Sequence, residues 1–152
     1  MNFNLRSALP LLVPKAIAWA EARAAEIAAR GLALNDLEVA IARRVGVAQP
    51  ERIRVSLVPR LPIPDDPLLQ LATLETGLLG PNMVGLTLGH CIYICLGHNS
   101  NRLLSHECRH VHQYEIAGSI ATYLPNYLQQ IVDFGYEDAP FEVDARAHET
   151  DV

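Results

Sequence analysis

The chain has no block of positive charge. Of its 152 residues, 12 are Lys or Arg and 17 are Asp or Glu, giving a formal net charge of −5, and no basic run exceeds Arg43-Arg44. Proteins hold nucleic acid through clustered cations, so nucleic acid is not an expected partner. No stretch approaches the about 18 uninterrupted apolar residues of a membrane-crossing helix, so no membrane span is expected. There are only three cysteines. Cys91 and Cys95 fall four apart in an expected strand, about 13 Å along one face, which is too far to bridge. With Cys108 they read as three reduced, mostly buried thiols of a cytoplasmic protein. The alternative, a zinc site on Cys91-x-x-x-Cys95, has no second cysteine pair to complete it. Internal repeats and low-complexity tracts are also missing.

What is present suits one globular domain over residues 1–152. Half of the residues are hydrophobic and 19% are charged, enough to close a single core at this length. Arg6, the run Ala8-Leu9-Pro10-Leu11-Leu12-Val13 and the later Ala18-Trp19-Ala20 imitate a secretory signal. Pro10, Pro14 and Lys15 interrupt that imitation, so export is the lesser alternative to a cytoplasmic location.

The pattern along the chain gives an α+β expectation in three stretches: a helical part over 1–50, strands and loop over 51–98, and helices over 99–152. An apolar face of Ile17, Ala20, Ala24, Ile27 and Ala28 predicts a helix from Pro14 to Arg30, stopped by Gly31. Asn35 followed by Glu38 predicts a capped helix ending at Gly46. Arg52 to Val58 alternates polar and apolar residues as a half-buried strand does. Prolines at 59, 62, 64 and 67 stiffen the next loop, after which a helix is expected from Pro67 to Leu79, then a turn at Gly80-Pro81-Asn82. Two β segments, 84–88 and 91–95, are separated at Gly89-His90. A helix from Asn99 or Ser100 to Gly118 is followed by one over 119–134, interrupted early at Pro125, and by another starting near Pro140.

The chemistry lies in His106-Glu107-Cys108-Arg109-His110. On a helix, positions i and i+4 share a face, so both imidazoles can converge on one metal ion while Glu107 points toward water activated there. This is the arrangement for zinc-assisted hydrolysis, with Zn2+ as the implied cofactor. Such a zinc site takes three protein ligands and leaves a position open. Glu142, 32 residues beyond His110, is the best third donor. Asp144 and His148 are its rivals in the same segment, about 200° and 240° round the helix from Glu142. His112 points about 200° from His110 and is not an expected ligand. Tyr114, four residues past His110, lies on the ligand face and is a candidate to stabilise an oxyanion. Tyr93, Tyr123, Tyr127, Tyr136, His90, His98 and Arg146 are further candidates for that role.

The stretch from Ile92 to Ala147 resembles the gluzincin type of zinc metallopeptidase. More narrowly, Leu103-Leu104-Ser105-His106-Glu107-Cys108-Arg109-His110-Val111-His112-Gln113 is similar to a run found in small bacterial His-Glu-x-x-His domains of unknown function. Glu142-Val143-Asp144-Ala145-Arg146 resembles the gluzincin second motif, Glu-x-x-Ala-Asp, and departs from it at Arg146, where the pattern has an aspartate that orients a ligand histidine. The resemblance implies a mostly helical zincin-like domain with a small sheet beside the motif helix. It implies metal ligands His106, His110 and Glu142, Glu107 as general base, and a peptide or protein substrate added as a strand to a sheet edge. The competing readings are a non-catalytic zinc-containing scaffold and a metal-dependent amidase or other hydrolase.

Overall fold

A computed structural model describes residues 3–152. The chain is α+β, with six α-helices and one four-stranded mixed sheet among the described residues. The helices are α1 (Leu5–Arg30), α2 (Asp36–Arg44), α3 (Pro67–Thr76), α4 (Asn101–Ala117), α5 (Ile120–Phe134) and α6 (Pro140–Ala147). The strands are β1 (Leu32–Ala33), β2 (Arg54–Val58), β3 (Gly85–Leu88) and β4 (Cys91–Cys95), in spatial order β1-β2-β4-β3. β2 and β4 are parallel, and β1 and β3 flank them antiparallel. One edge of the sheet is therefore β3, the strand that packs on α4.

β4 is buried along its whole length and divides the interior in two. Cys91, Tyr93 and Cys95 share a core with Ala20 and Ile27 of α1 and Tyr123 of α5. Ile92 and Ile94 point the other way, among Ile41 and Ala42 of α2 and Leu104, Cys108 and Val111 of α4. This alternation is the period of two that a pleated strand imposes. It explains how a chain of this size can flank one short sheet with helices on both faces. All three cysteines are free and buried, as the sequence predicts.

Four elements differ from expectation. α1 starts at Leu5 rather than near Pro14 and runs through Pro10 and Pro14. Each proline inside a helix removes a hydrogen bond and costs about 3 kcal/mol. The loss is offset by packing: Leu12, Ala20 and Ile27 form one buried stripe, α1 lies along α5, and Arg6 pairs with Asp133 near the C-terminal end of α5. α5 likewise continues unbroken through Pro125, anchored by a capping box in which Ser119 and Thr122 bond each other's backbone N–H. α3 ends at Thr76, three residues early, because Gly77 turns left-handed at φ 77°. Short β1, which caps the sheet at its other edge, has no counterpart in the sequence reading. Among the described residues no helix is long and apolar enough to cross a membrane.

β3 and β4 form a two-residue hairpin at Gly89-His90, with Gly89 at φ 68°. A hairpin this tight needs a residue at positive φ, which glycine adopts without strain. It lays β3 antiparallel to β4 and against the motif helix.

Candidate metal centre

α4 is built to be rigid. Ser100 accepts the Leu103 N–H at 3.1 Å as N-cap, and Gly118 at φ 99° closes the helix. Leu104, Cys108 and Val111 anchor one face in the core. The adjoining face presents His106 and His110, their ring centroids 5.0 Å apart and their planes at 71°. α6 brings Glu142 opposite them, from its first turn, where the helix dipole favours a carboxylate. His106 Nε2 stands 3.2 Å from Glu142 Oε1, and His110 Nε2 stands 3.2 Å from the same oxygen. One ligating atom from each residue lies within 4.8 Å of the others. The His106, His110 and Glu142 side chains are 12%, 8% and 3% exposed.

The outer nitrogens decide what the inner ones can do. His106 Nδ1 lies 2.9 Å from Glu149 Oε2, an acceptor. His110 Nδ1 lies 2.8 Å from Gln113 Oε1. The Gln113 amide is oriented by its own donations, from Nε2 to Phe141 O and to Asp144 Oδ2, both at 2.9 Å. Its Oε1 also receives the Tyr123 hydroxyl at 3.0 Å, so it can only accept. Both Nδ1 atoms must therefore carry the proton. A neutral imidazole has one N–H, so each Nε2 then directs a bare lone pair at a carboxylate oxygen. Tyr127 donates its hydroxyl to the other oxygen, Oε2, at 2.8 Å. Three acceptors facing one another in a buried space repel unless a cation stands between them. Ligand bonds of about 2.0–2.1 Å in a tetrahedral zinc site place neighbouring donor atoms about 3.3 Å apart, close to the 3.2 Å from each Nε2 to Glu142 Oε1.

Protons could fill the same role only by charging both rings. Burial opposes a charged His106, but the hydrogen bond to Glu142, the nearby charge of Glu107 and the bond to Glu149 outweigh it and push His106 up to about 9. The same contest, with Glu142 as the main partner, raises His110. For Glu142, burial is overcome by the hydrogen bonds from the two rings, by the charge of His110 and by Tyr127, and its carboxyl is held well below the usual range. The triad is a site that demands positive charge.

Glu107 lies beside this triad, 4% exposed and without a role in holding it. Thr87 of β3 donates its hydroxyl to Glu107 Oε1 at 2.8 Å. Gly85 leaves the room that the rest of the side chain occupies: a Cβ there would stand 2.8 Å from Glu107 Oε2. Burial raises the Glu107 carboxyl, and the charges of His110 and His106 restrain the rise.

The rival donors are engaged elsewhere. Asp144 accepts from Arg109 Nε and Nη2 at 2.8 and 3.2 Å and from Gln113, which turns it away from the triad. His148 Nδ1 bonds the Asp144 carbonyl oxygen at 2.8 Å. His112 Nδ1 bonds Gly46 O, and His90 pairs with Glu115. Tyr114 stacks on Tyr123 with centroids 3.7 Å apart, and the Tyr123 and Tyr127 hydroxyls are committed to Gln113 and Glu142. Tyr136, with His98 and Arg146, lines an open cleft that also contains His106 and Glu107.

Sequence reasoning missed Glu149. At the position where the gluzincin pattern has an aspartate, Arg146 donates to the Glu137 carbonyl oxygen instead. The carboxylate behind His106 comes from three residues further on. It is held there because Thr150 N–H donates to Ser105 Oγ at 2.9 Å and Arg102 binds both Glu149 and Asp151. No periodicity marks such a residue, because it lies beyond the last turn of α6. Gln113 had a signal, standing three residues after His110 and thus on its face of the helix.

No protein-family model matches the chain, and neither does any curated protein or solved structure.

Proposed function

We propose that the protein is a zinc-dependent hydrolase of the zincin-like, gluzincin kind, acting on peptide bonds from within the cytoplasm. The observation that carries this reading is the meeting of two imidazole Nε2 atoms and one carboxylate oxygen in a buried pocket, with a separate carboxylate, Glu107, next to it. A purely structural metal site has no use for that fourth group, whereas a hydrolytic one needs a base beside its open position.

The donor set fits zinc: two imidazole nitrogens and one carboxylate, each steadied from behind by Glu149, Gln113 or Tyr127. When bound, zinc would supply Lewis acidity that polarises a carbonyl and makes water acidic. The chain's own groups do the rest. Glu107, positioned by Thr87, takes the proton from attacking water and returns it to the leaving nitrogen. Tyr136, on the wall of the cleft, is the group that would donate to the developing oxyanion. The outer side of β3, unpaired in the sheet, borders the same cleft at Val84 and Gly85 and offers an extended peptide a strand to pair with.

The second reading, zinc as a clamp in a non-catalytic scaffold, draws support from the way His106, His110 and Glu142 tie α6 to α4. Glu107→Gln separates the two. The hydrolase reading expects zinc content unchanged and cleavage of a mixed peptide pool reduced by a factor of a hundred or more. Equal cleavage by both proteins, or none by either, favours the clamp.

A further inference from the structure

The triad stands between two spaces of different character. Outside is the open cleft, about 600 Å³, bordered by β3 and lined by polar and charged residues such as Arg102, Asp138 and Arg146. Inside is a pocket of about 130 Å³ walled by α1, α3, α5 and β3. Leu12 and Ala16 of α1, Leu69 and Ala72 of α3 and Leu128 of α5 give it hydrocarbon walls. The two spaces share His106, Glu107, Gly85, Met83 and Tyr136. Any group entering the inner cavity from the cleft therefore passes the reacting atoms.

We infer that the inner cavity receives an uncharged hydrocarbon side chain of leucine to phenylalanine size, carried by the substrate residue next to the bond that is cut. This rests on the hydrolase reading for the cutting, and on the cavity alone for the binding. A space near 150 Å³ lined by aliphatic residues stays dry and takes a benzene-sized guest, so about 130 Å³ matches one such side chain. Its polar groups lie at the triad end; the far wall of Leu12, Ala16, Leu69, Ala72 and Leu128 offers no partner for a carboxylate or ammonium, and burying either unpaired there is costly. The substrate backbone meanwhile stays in the cleft along β3, where polar groups can meet it. The part of the chain outside the motif, α1 and α3, thereby acquires a role: it forms the far wall that sets which side chain fits.

Two experiments test this independently. The first uses chelator-treated protein and toluene as the probe, followed by NMR shifts of α1 and α5 methyl groups. Saturable binding is expected, and its loss in Ala72→Phe and in Ala16→Leu, two fillings of different severity from different helices. Unsaturable shifts, or binding indifferent to both fillings, overturn the assignment of the cavity. The second uses zinc-loaded protein and peptides that differ only at the residue flanking the cut: Gly, Leu, Phe or Asp. Leu and Phe should exceed Gly in kcat/KM by about tenfold to two-hundredfold, with Asp slowest, and Ala72→Phe should lower the Leu and Phe values toward that of Gly. Equal rates for Gly and Leu, or preference for Asp, overturn the side-chain assignment. Absence of cleavage of every peptide, with toluene still bound, identifies the hydrolase reading as the part that failed.

Discussion

Glu149→Ala removes a carboxylate that touches no metal in the proposed site, so its effect measures how far the support behind a ligand matters. Glu149 Oε2 lies 2.9 Å from His106 Nδ1, and its side chain is 23% exposed. The bond holds the ring in the plane that aims Nε2 at Glu142 and fixes the proton on Nδ1. A carboxylate behind a ligand imidazole is worth about tenfold to a hundredfold in metal affinity, or about 1.4–2.7 kcal/mol. Two features set the expectation in the upper half of that range. Arg102 would lose one of its two carboxylate partners, loosening the stretch that follows α6, and no other acceptor lies at His106 Nδ1 to take over. The assay is competition with a chromophoric chelator at pH 7.5, comparing Glu149→Ala and Glu149→Gln with the unaltered chain. Gln keeps an acceptor oxygen but not the charge, so it should recover part of the loss. Affinities within twofold of one another for all three proteins would refute the claim that Glu149 orients His106.

Further outcomes follow from the same geometry. Gly85→Ala should lower kcat at least tenfold with zinc affinity retained, since the nearest atoms the new Cβ meets all belong to Glu107; metal titration and turnover on one sample check it. In chelator-treated protein, urea midpoints should be highest between about pH 4.5 and 6.5. His106 has its folded pKa raised, so the stability it contributes is complete below 6.5 and lost as pH rises through about 9. Glu142, Glu115 and Asp144 have theirs lowered from 4.5, 4.5 and 3.8, so their contributions are lost as pH falls below those values. With zinc bound the alkaline loss should disappear, because the deprotonated rings become ligands; a midpoint that still declines toward pH 9 contradicts this. Ile92→Ala, at a fully buried point of β4, should cost about 2–5 kcal/mol in urea unfolding while leaving the ligand side chains untouched.

Much of this molecule was legible because local signals and global fold agree. The Asn35–Glu38 capping box, the strand break at Gly89-His90 and the cap at Ser100, one of two expected positions, each depend on neighbours in sequence, and each lies where the pattern allows it. The convergence of Glu142 on the two histidines was accessible by another route, from the number of donors a hydrolytic zinc site requires. Features decided by tertiary contact were not legible. Pro14 read as the start of the first helix, yet α1, packed on α5, begins at Leu5 and runs through both Pro10 and Pro14. The parallel pairing of β2 with β4 spans an intervening helix and strand, and nothing within either strand specifies it. Asp144 looked like a ligand by residue type. What excludes it is Arg109, a partner 35 residues away that only the folded chain brings to it. Glu149 was missed for the converse reason: its place is fixed by Ser105 and Arg102 on another helix.

The central claim is that His106, His110 and Glu142 together hold one metal ion. Zinc content of protein purified without added metal, measured by mass spectrometry with protein concentration from amino-acid analysis, tests it most directly. The account predicts close to one zinc per chain, its loss in His106→Ala, His110→Ala and Glu142→Ala, and its retention in Asp144→Ala and His148→Ala. Full occupancy in Glu142→Ala, with zinc lost from His148→Ala or Asp144→Ala, would contradict it.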